Sequence, residues 1–184
     1  VYATGGEELF VNLFVGSRAT VRVGKRTVKL TQQTRYPWEG GVRLAIAPDQ
    51  PAEFTLKVRI PGWVQGRPVP GDLYRYADAG SAGAVRDLVV RINGREIAGG
   101  ALDRGYLPLR RRWRAGDVVE VRLPMPVRRV LAHPAVPANA GRVAVERGPI
   151  VFCAEGADHG GRVLNRVLPD DAELRAEFNP ALLG

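Results

Sequence analysis

The sequence is poor in the residues that build covalent or metal frameworks: one cysteine, one methionine and two histidines in 184 residues. The lone thiol, Cys153, excludes an internal disulfide framework. Together with His133 and His159 it makes no metal-ligand spacing of a familiar kind, so no metal site is expected. Lysine is also scarce. Lys25, Lys29 and Lys57 are the three, and arginine supplies the rest of the 27 basic residues. No run approaches the ~20 apolar residues of a membrane helix, so a membrane is not an expected partner. No Asn-x-Ser/Thr sequon occurs. No basic segment precedes an apolar stretch at the start, so the sequence carries no mark of a signal peptide. Val1-Tyr2-Ala3-Thr4-Gly5 reads as a cut placed inside a longer chain. The compartment stays open, with the cytoplasm marginally preferred.

What is present is an ordinary globular composition, 45% hydrophobic and 25% charged, with a formal net charge of +8. That length suits one domain or two small ones. A basic chain can bind nucleic acid when its cations cluster against phosphates. Here one dense cluster exists, Arg104, Arg110, Arg111, Arg112 and Arg114. The other arginines are spread singly, and many alternate with apolar residues, as in Val21-Arg22-Val23 and Val121-Arg122-Leu123. Alternation puts them on the wet face of strands. Nucleic acid is therefore not an expected partner, and polyanion binding through Arg104–Arg114 is the lesser alternative.

Period-two alternation runs through the chain and predicts strands. Glu8–Val15 reads as a strand covered on both faces. Ala19–Val23 and Thr27–Leu30 read as a hairpin around Gly24-Lys25. Val42–Ile46 and Phe54–Ile60 alternate, and Pro61-Gly62 stops the second. Val64–Ala84 is a Gly/Pro/Ala-rich insertion. Leu88–Ile92 and Arg95–Ile97 flank Asn93-Gly94, a strong two-residue hairpin signal. Val118–Leu123, Val127–Leu131, Gly141–Arg147 and Ile150–Ala154 complete the strands. Only Asp170–Phe178 looks helical, with Asp170 as its cap. The pattern predicts an all-β fold, a β-sandwich or jelly roll, with at most one short helix near 170–178.

Candidate chemistry is thin. Cys153 and His159 could form a nucleophile and base, but Cys153 follows Ile150-Val151-Phe152, where a thiol is expected to be a buried small hydrophobe. Glu7-Glu8, Glu39 and Asp170-Asp171 are acids that surface solvation explains as well as acid–base catalysis does. Gly99-Gly100 and Gly160-Gly161 lack the residues of a phosphate loop. Tyr36, Trp38 and Trp63 stand at strand ends. Their rings could stack on sugar faces, or they could plug the rim of the core. Trp113 sits among arginines, where a guanidinium stack would be structural.

Several blocks, taken in order, resemble one family. They include Leu9–Ser17, Thr34-Arg35-Tyr36-Pro37-Trp38-Glu39-Gly40, Pro51–Trp63, Gly105-Tyr106, Arg112-Trp113, Ala115–Glu120, Leu123–Val130 and Gly141–Glu155. The resemblance is to the region after the catalytic barrel in glycoside hydrolase family 127, the β-L-arabinofuranosidase-like enzymes, and covers most of residues 7–170. It implies a parent with an (α/α)6 barrel followed by two β-sandwich domains. In that family a zinc-bound cysteine from a Cys-Cys pair is the nucleophile, assisted by glutamates in the barrel. This chain has no Cys-Cys pair, and Cys153 does not match the nucleophile, so no catalytic residue carries over. No cofactor is expected in these residues. Zinc belongs, by resemblance, to the barrel.

The expectation is then two units, a middle sandwich at 1–125 and the opening of a second at 126–184, divided at Pro124-Met125-Pro126. The second is expected to stop inside its domain at 181–184. The expected role is non-catalytic: scaffold, interdomain packing against the barrel, or a homodimer contact. The alternative is a carbohydrate-binding module using Tyr36, Trp38 and Trp63.

Overall fold

A computed structural model of the chain describes residues 1–78 and 87–179. Among them are fourteen strands and two short 3-10 turns, Pro137–Asn139 and Ala157–His159, with no α-helix. The first seven strands are β1 (Tyr2–Gly5), β2 (Glu8–Val11), β3 (Ser17–Val23), β4 (Arg26–Thr34), β5 (Gly41–Pro48), β6 (Ala52–Arg59) and β7 (Tyr74–Tyr76). The others are β8 (Val89–Ile92), β9 (Arg95–Ile97), β10 (Tyr106–Trp113), β11 (Asp117–Arg122), β12 (Val127–Ala132), β13 (Val143–Arg147) and β14 (Ile150–Phe152). They form three sheets, in the orders β1-β2-β6-β10, β3-β4-β5-β11-β8-β9 and β14-β13-β12-β7. The pair β2–β6 is parallel.

The first two sheets share one apolar core, as the alternation predicts. Strand β5 turns Val42, Leu44 and Ile46 inward, β6 turns Phe54, Leu56 and Val58, and β11 turns Val119 and Val121. Each fully buried side chain of this kind stabilises the fold by about 1.5–3 kcal/mol. Trp113 is fully buried among them, and its indole N–H donates to the Phe54 carbonyl at 3.0 Å. The ring therefore adds apolar area to the core without leaving a polar atom unpaired. Both expected hairpins form. Val23 faces Arg26 around Gly24-Lys25, with Gly24 at φ 56°. Ile92 faces Arg95 around Asn93 (φ 51°) and Gly94 (φ 77°). Both central residues of the second turn are left-handed, which matches the twist of the strands it joins.

Two expectations are corrected. The strand expected over Glu8–Val15 ends at Val11, and Leu13 (57% exposed) and Val15 face solvent. Buried Gln32 explains this: its side-chain amide donates to the carbonyls of Leu13 and Val15 at 3.1 and 2.8 Å, where a strand would use a neighbour's N–H. The helix expected near 170–178 is absent. Asp170-Asp171 form a turn and the residues after it run irregularly. A nine-residue helix is marginal without a packed face, and Ala172 and Leu174 are only half-buried there.

The Gly/Pro/Ala-rich segment contributes more than a loop. Its Tyr74–Tyr76 is β7, an edge strand of the third sheet paired with β12, with Val130 opposite Tyr76. The rest of that segment from 79 to 84, and the expected stop at 181–184, lie outside the described residues.

The third sheet has a different interior. Its buried side chains are Tyr76, Val130, Arg128 and Glu146. The Tyr76 hydroxyl donates to the Glu146 carboxylate. The Arg128 guanidinium lies 3.3 Å from the centre of the Tyr76 ring and donates to Asp78 at 3.1 Å. Burial pushes Glu146 above its ordinary value, an effect that the Tyr76 hydroxyl and the Arg128 charge oppose. Burial and the bond to Glu146 likewise raise the Tyr76 phenol. A cavity of about 30 Å³, roughly one water in size, adjoins this cluster and Trp63.

Candidate functional site

The segment after β4 carries two of the three rim aromatics. It is drawn into a tight loop by Thr34, whose hydroxyl donates to the Gly41 carbonyl at 2.7 Å and accepts from the Tyr36 N–H at 3.0 Å. The Arg35 carbonyl accepts from the N–H groups of Trp38 and Glu39, and the Arg35 and Glu39 side chains pair at 3.1 Å. The peptide bond between Tyr36 and Pro37 is cis. Gly40 is obligatory at the loop's end. A Cβ there would stand 2.0 Å from the Leu123 carbonyl oxygen, and the Gly40 carbonyl accepts from the Leu123 N–H.

The three aromatics are placed differently. Tyr36 packs edge-on to buried Phe14 with ring centres 5.5 Å apart, and Trp63 also packs on the core. Burial raises the Tyr36 phenol, partly offset by the Trp63 indole N–H, which faces it without reaching full hydrogen-bond geometry. Trp38 stands apart, 60% exposed, with its carbonyl accepting from Arg147 at 2.9 Å.

An open groove of about 990 Å³ lies beside this loop, across the outer faces of β4, β5, β11 and β8. The register aligns Gln33, Arg43, Glu120, Arg91 and Glu96 in one cross-strand row. Arg43 pairs with Glu120 at 2.8 Å and Arg91 with Glu96 at 3.1 Å. Alternation in the sequence placed these residues on a wet face. It could not show that five strands bring them into one row, because register depends on pairing across more than seventy positions, as between Arg43 and Glu120.

On the first sheet, the Lys57 ammonium reaches both Asp103 and Glu8 at 2.8 Å and lies over the Phe10 ring. The bond to Asp103 leads in raising Lys57, and the same bond holds Asp103 below its ordinary value. The arginine cluster 104–114 is divided. Arg110 pairs with Glu53 at 2.9 Å, Arg104 lies 3.5 Å from Asp103, and Arg111 stacks over Trp113 and reaches Asp117 at 3.9 Å. A polyanion would compete with these carboxylates.

Cys153 is exposed, not buried as its apolar neighbours suggested. It follows the end of β14, the outermost strand of the third sheet, where no described residue covers it. Its thiol contacts the carbonyl of its neighbour Ala154 at 3.8 Å. Among the described residues no three His, Cys, Asp or Glu side chains are grouped to hold a metal ion. These residues therefore do not fit the zinc that the family resemblance implies for the barrel.

Comparison with known proteins matches two family models end to end. Residues 8–125 match "Beta-L-arabinofuranosidase, GH127 middle domain" and residues 127–182 match "Glycoside hydrolase family 127 C-terminal domain". A curated non-reducing end β-L-arabinofuranosidase of Bifidobacterium longum subsp. longum is 31% identical over 98% of this chain. A solved GH127 β-L-arabinofuranosidase from Geobacillus stearothermophilus T6 superposes with a TM-score of 0.83, at 42% identity over 98% of this chain. A solved GH127 β-arabinofuranosidase gives a TM-score of 0.78 and 47% identity over 86% of this chain. The chain spans 25%, 25% and 24% of the lengths of these three relatives. With its two matched domains in consecutive order, the chain belongs to glycoside hydrolase family 127.

Proposed function

We propose that this chain is the non-catalytic β-sheet portion of a β-L-arabinofuranosidase-type glycoside hydrolase, a scaffold that packs against the catalytic barrel of its parent. The observation that carries the reading is the identity of the two matched models, a middle and a C-terminal domain. Two units divided near residue 125 fit the same reading. The exposed apolar side chains support a packing role. Leu13 and Val15 flank buried Phe14, and Val151 and Phe152 stand on the outermost strand of the third sheet. Apolar groups on an open strand favour contact with another protein surface, the barrel or a second copy of the chain.

The chain is assayed for arabinose release from β-L-arabinofuranosides with and without added zinc, alone and mixed with the separately produced barrel. No release by the chain alone and stable association with the barrel are expected. Zinc-dependent release by the 184 residues alone overturns the reading. A carbohydrate-binding role rests on Trp38, the exposed ring of the three, and calls for loss of tryptophan-fluorescence response to sugar in Trp38→Ala.

A further inference from the structure

The outer face of the second sheet holds a feature that the core does not use. Four neighbouring strands spaced ~4.8 Å apart give the groove a width of roughly 14 Å. Beside the row of Arg43, Glu120 and Arg91 runs a second row, Gly41, Arg122 and Val89. Gly41 has no side chain, and a Cβ there would meet nothing within 4 Å. The groove therefore opens at Gly41, with Arg122 as its immediate neighbour.

The charges in the groove are unequal in kind. Arg35 pairs with Glu39, Arg43 with Glu120, and Arg91 with Glu96. Arg147 donates to the Trp38 carbonyl. Arg122 is exposed and pairs with no carboxylate among the described residues. Its planar fork can take one carboxylate through two parallel hydrogen bonds. The paired side chains offer further donors and acceptors to hydroxyl groups with little net charge. Pro124 and Met125 add apolar surface to the groove's lining.

These features select a ligand class. An extended peptide cannot add to this face as a strand, because β5 and β11 have hydrogen-bonded neighbours on both sides. A polyphosphate needs many free cations, whereas here Glu39 and Glu120 line the groove and, among the described residues, two arginines stand without a carboxylate, Arg122 and the Arg147 that donates to the Trp38 carbonyl. A chain rich in hydroxyls, with carboxylates set singly along it, fits both the paired and the unpaired groups. We propose that this groove binds an oligosaccharide containing uronic acid residues, with Arg122 receiving a carboxylate. The proposal does not depend on the scaffold reading.

The test titrates the 184-residue chain with trigalacturonic acid, and with a neutral arabino-oligosaccharide of equal length, by calorimetry and tryptophan fluorescence. Trigalacturonic acid binds, with affinity that falls as salt rises, and the neutral sugar binds at least tenfold more weakly. Arg122→Ala loses roughly tenfold or more in affinity, as expected for a hydrogen bond between charged groups. Gly41→Leu changes no charge, sits at no left-handed φ and fills the groove, and loses binding to a similar extent. Neither position belongs to the core, so either variant serves alone, with its fold checked by circular dichroism. Absence of binding, equal binding of the neutral sugar, or binding unchanged in Gly41→Leu overturns the proposal. Loss in Gly41→Leu with retention in Arg122→Ala also overturns it, since Arg122 then does not receive the carboxylate.

Discussion

The first two sheets and the third are stabilised by opposite means. Between the first two lies a largely apolar interior of Leu, Val, Ile and Phe with Trp113, in which Gln32 is a buried polar side chain. The third keeps a tyrosine, an arginine and a glutamate inside, and leaves Val151 and Phe152 outside. Apolar burial is non-directional and tolerates small shifts, whereas a buried ion cluster is favourable only when every member keeps its partner. The first unit is accordingly held by area and the third sheet by specific pairing.

Substitutions that exchange these modes test the contrast. The largest effect is expected from Trp113→Ala, which removes a fully buried ring. It should cost about 3–5 kcal/mol in denaturant unfolding and lower protection across β5, β6 and β11 together. Tyr76→Phe should cost about 1–3 kcal/mol by leaving the Glu146 carboxylate without its donor. Its loss of hydrogen-exchange protection should stay within β7, β12 and β13; spread into β5 and β11 would erase the distinction.

Acidification should act on the two regions in different pH windows. Burial would raise Asp117, but hydrogen bonds from Asn93 and the Arg114 N–H, with the Arg111 charge, hold it below its ordinary 3.8. What Asp117 contributes is present above 3.8 and is lost as pH falls through its lower folded value. Glu146 is raised above its ordinary 4.5, so its contribution is full below 4.5 and is lost as pH rises through the folded value. From neutral pH down to 4.5, exchange protection corrected for intrinsic rates should rise in β12–β13 and stay level in β5–β11. The smallest effect belongs to Arg43→Ala. Its partner Glu120 is about half exposed, and the pair is worth about 0.2–1 kcal/mol.

The sequence made the first unit legible and the third sheet less so, for the same reason. Period-two alternation reports a face packed on an apolar core, and β5, β6 and β11 have one. Asn93-Gly94 and Gly24-Lys25 carry their turn chemistry locally. Polar pairing leaves no such trace. Tyr74-Arg75-Tyr76 gives no strand signal until β12 is beside it, and nothing local marks Glu146 and Arg128 as buried partners. Cys153 misled because an apolar run suggests cover, and an outermost strand has none. The rim aromatics were legible as a group but not individually, since packing on Phe14 separates Tyr36 from Trp38. The groove was hidden because Arg43, Glu120 and Arg91 become neighbours only through register.

The position of β7 also sets an order of assembly. Tyr76 and Glu146 stand 70 positions apart, and Tyr76 leaves the ribosome first. All core-forming residues of the first two sheets, through Leu123, are synthesised before β12 begins. The sandwich can close while β7 still has no strand to join. The third sheet is then completed last, on a strand already tethered to a folded neighbour, so its polar pairs form as an intramolecular docking step and its folding is contingent on that of the sandwich.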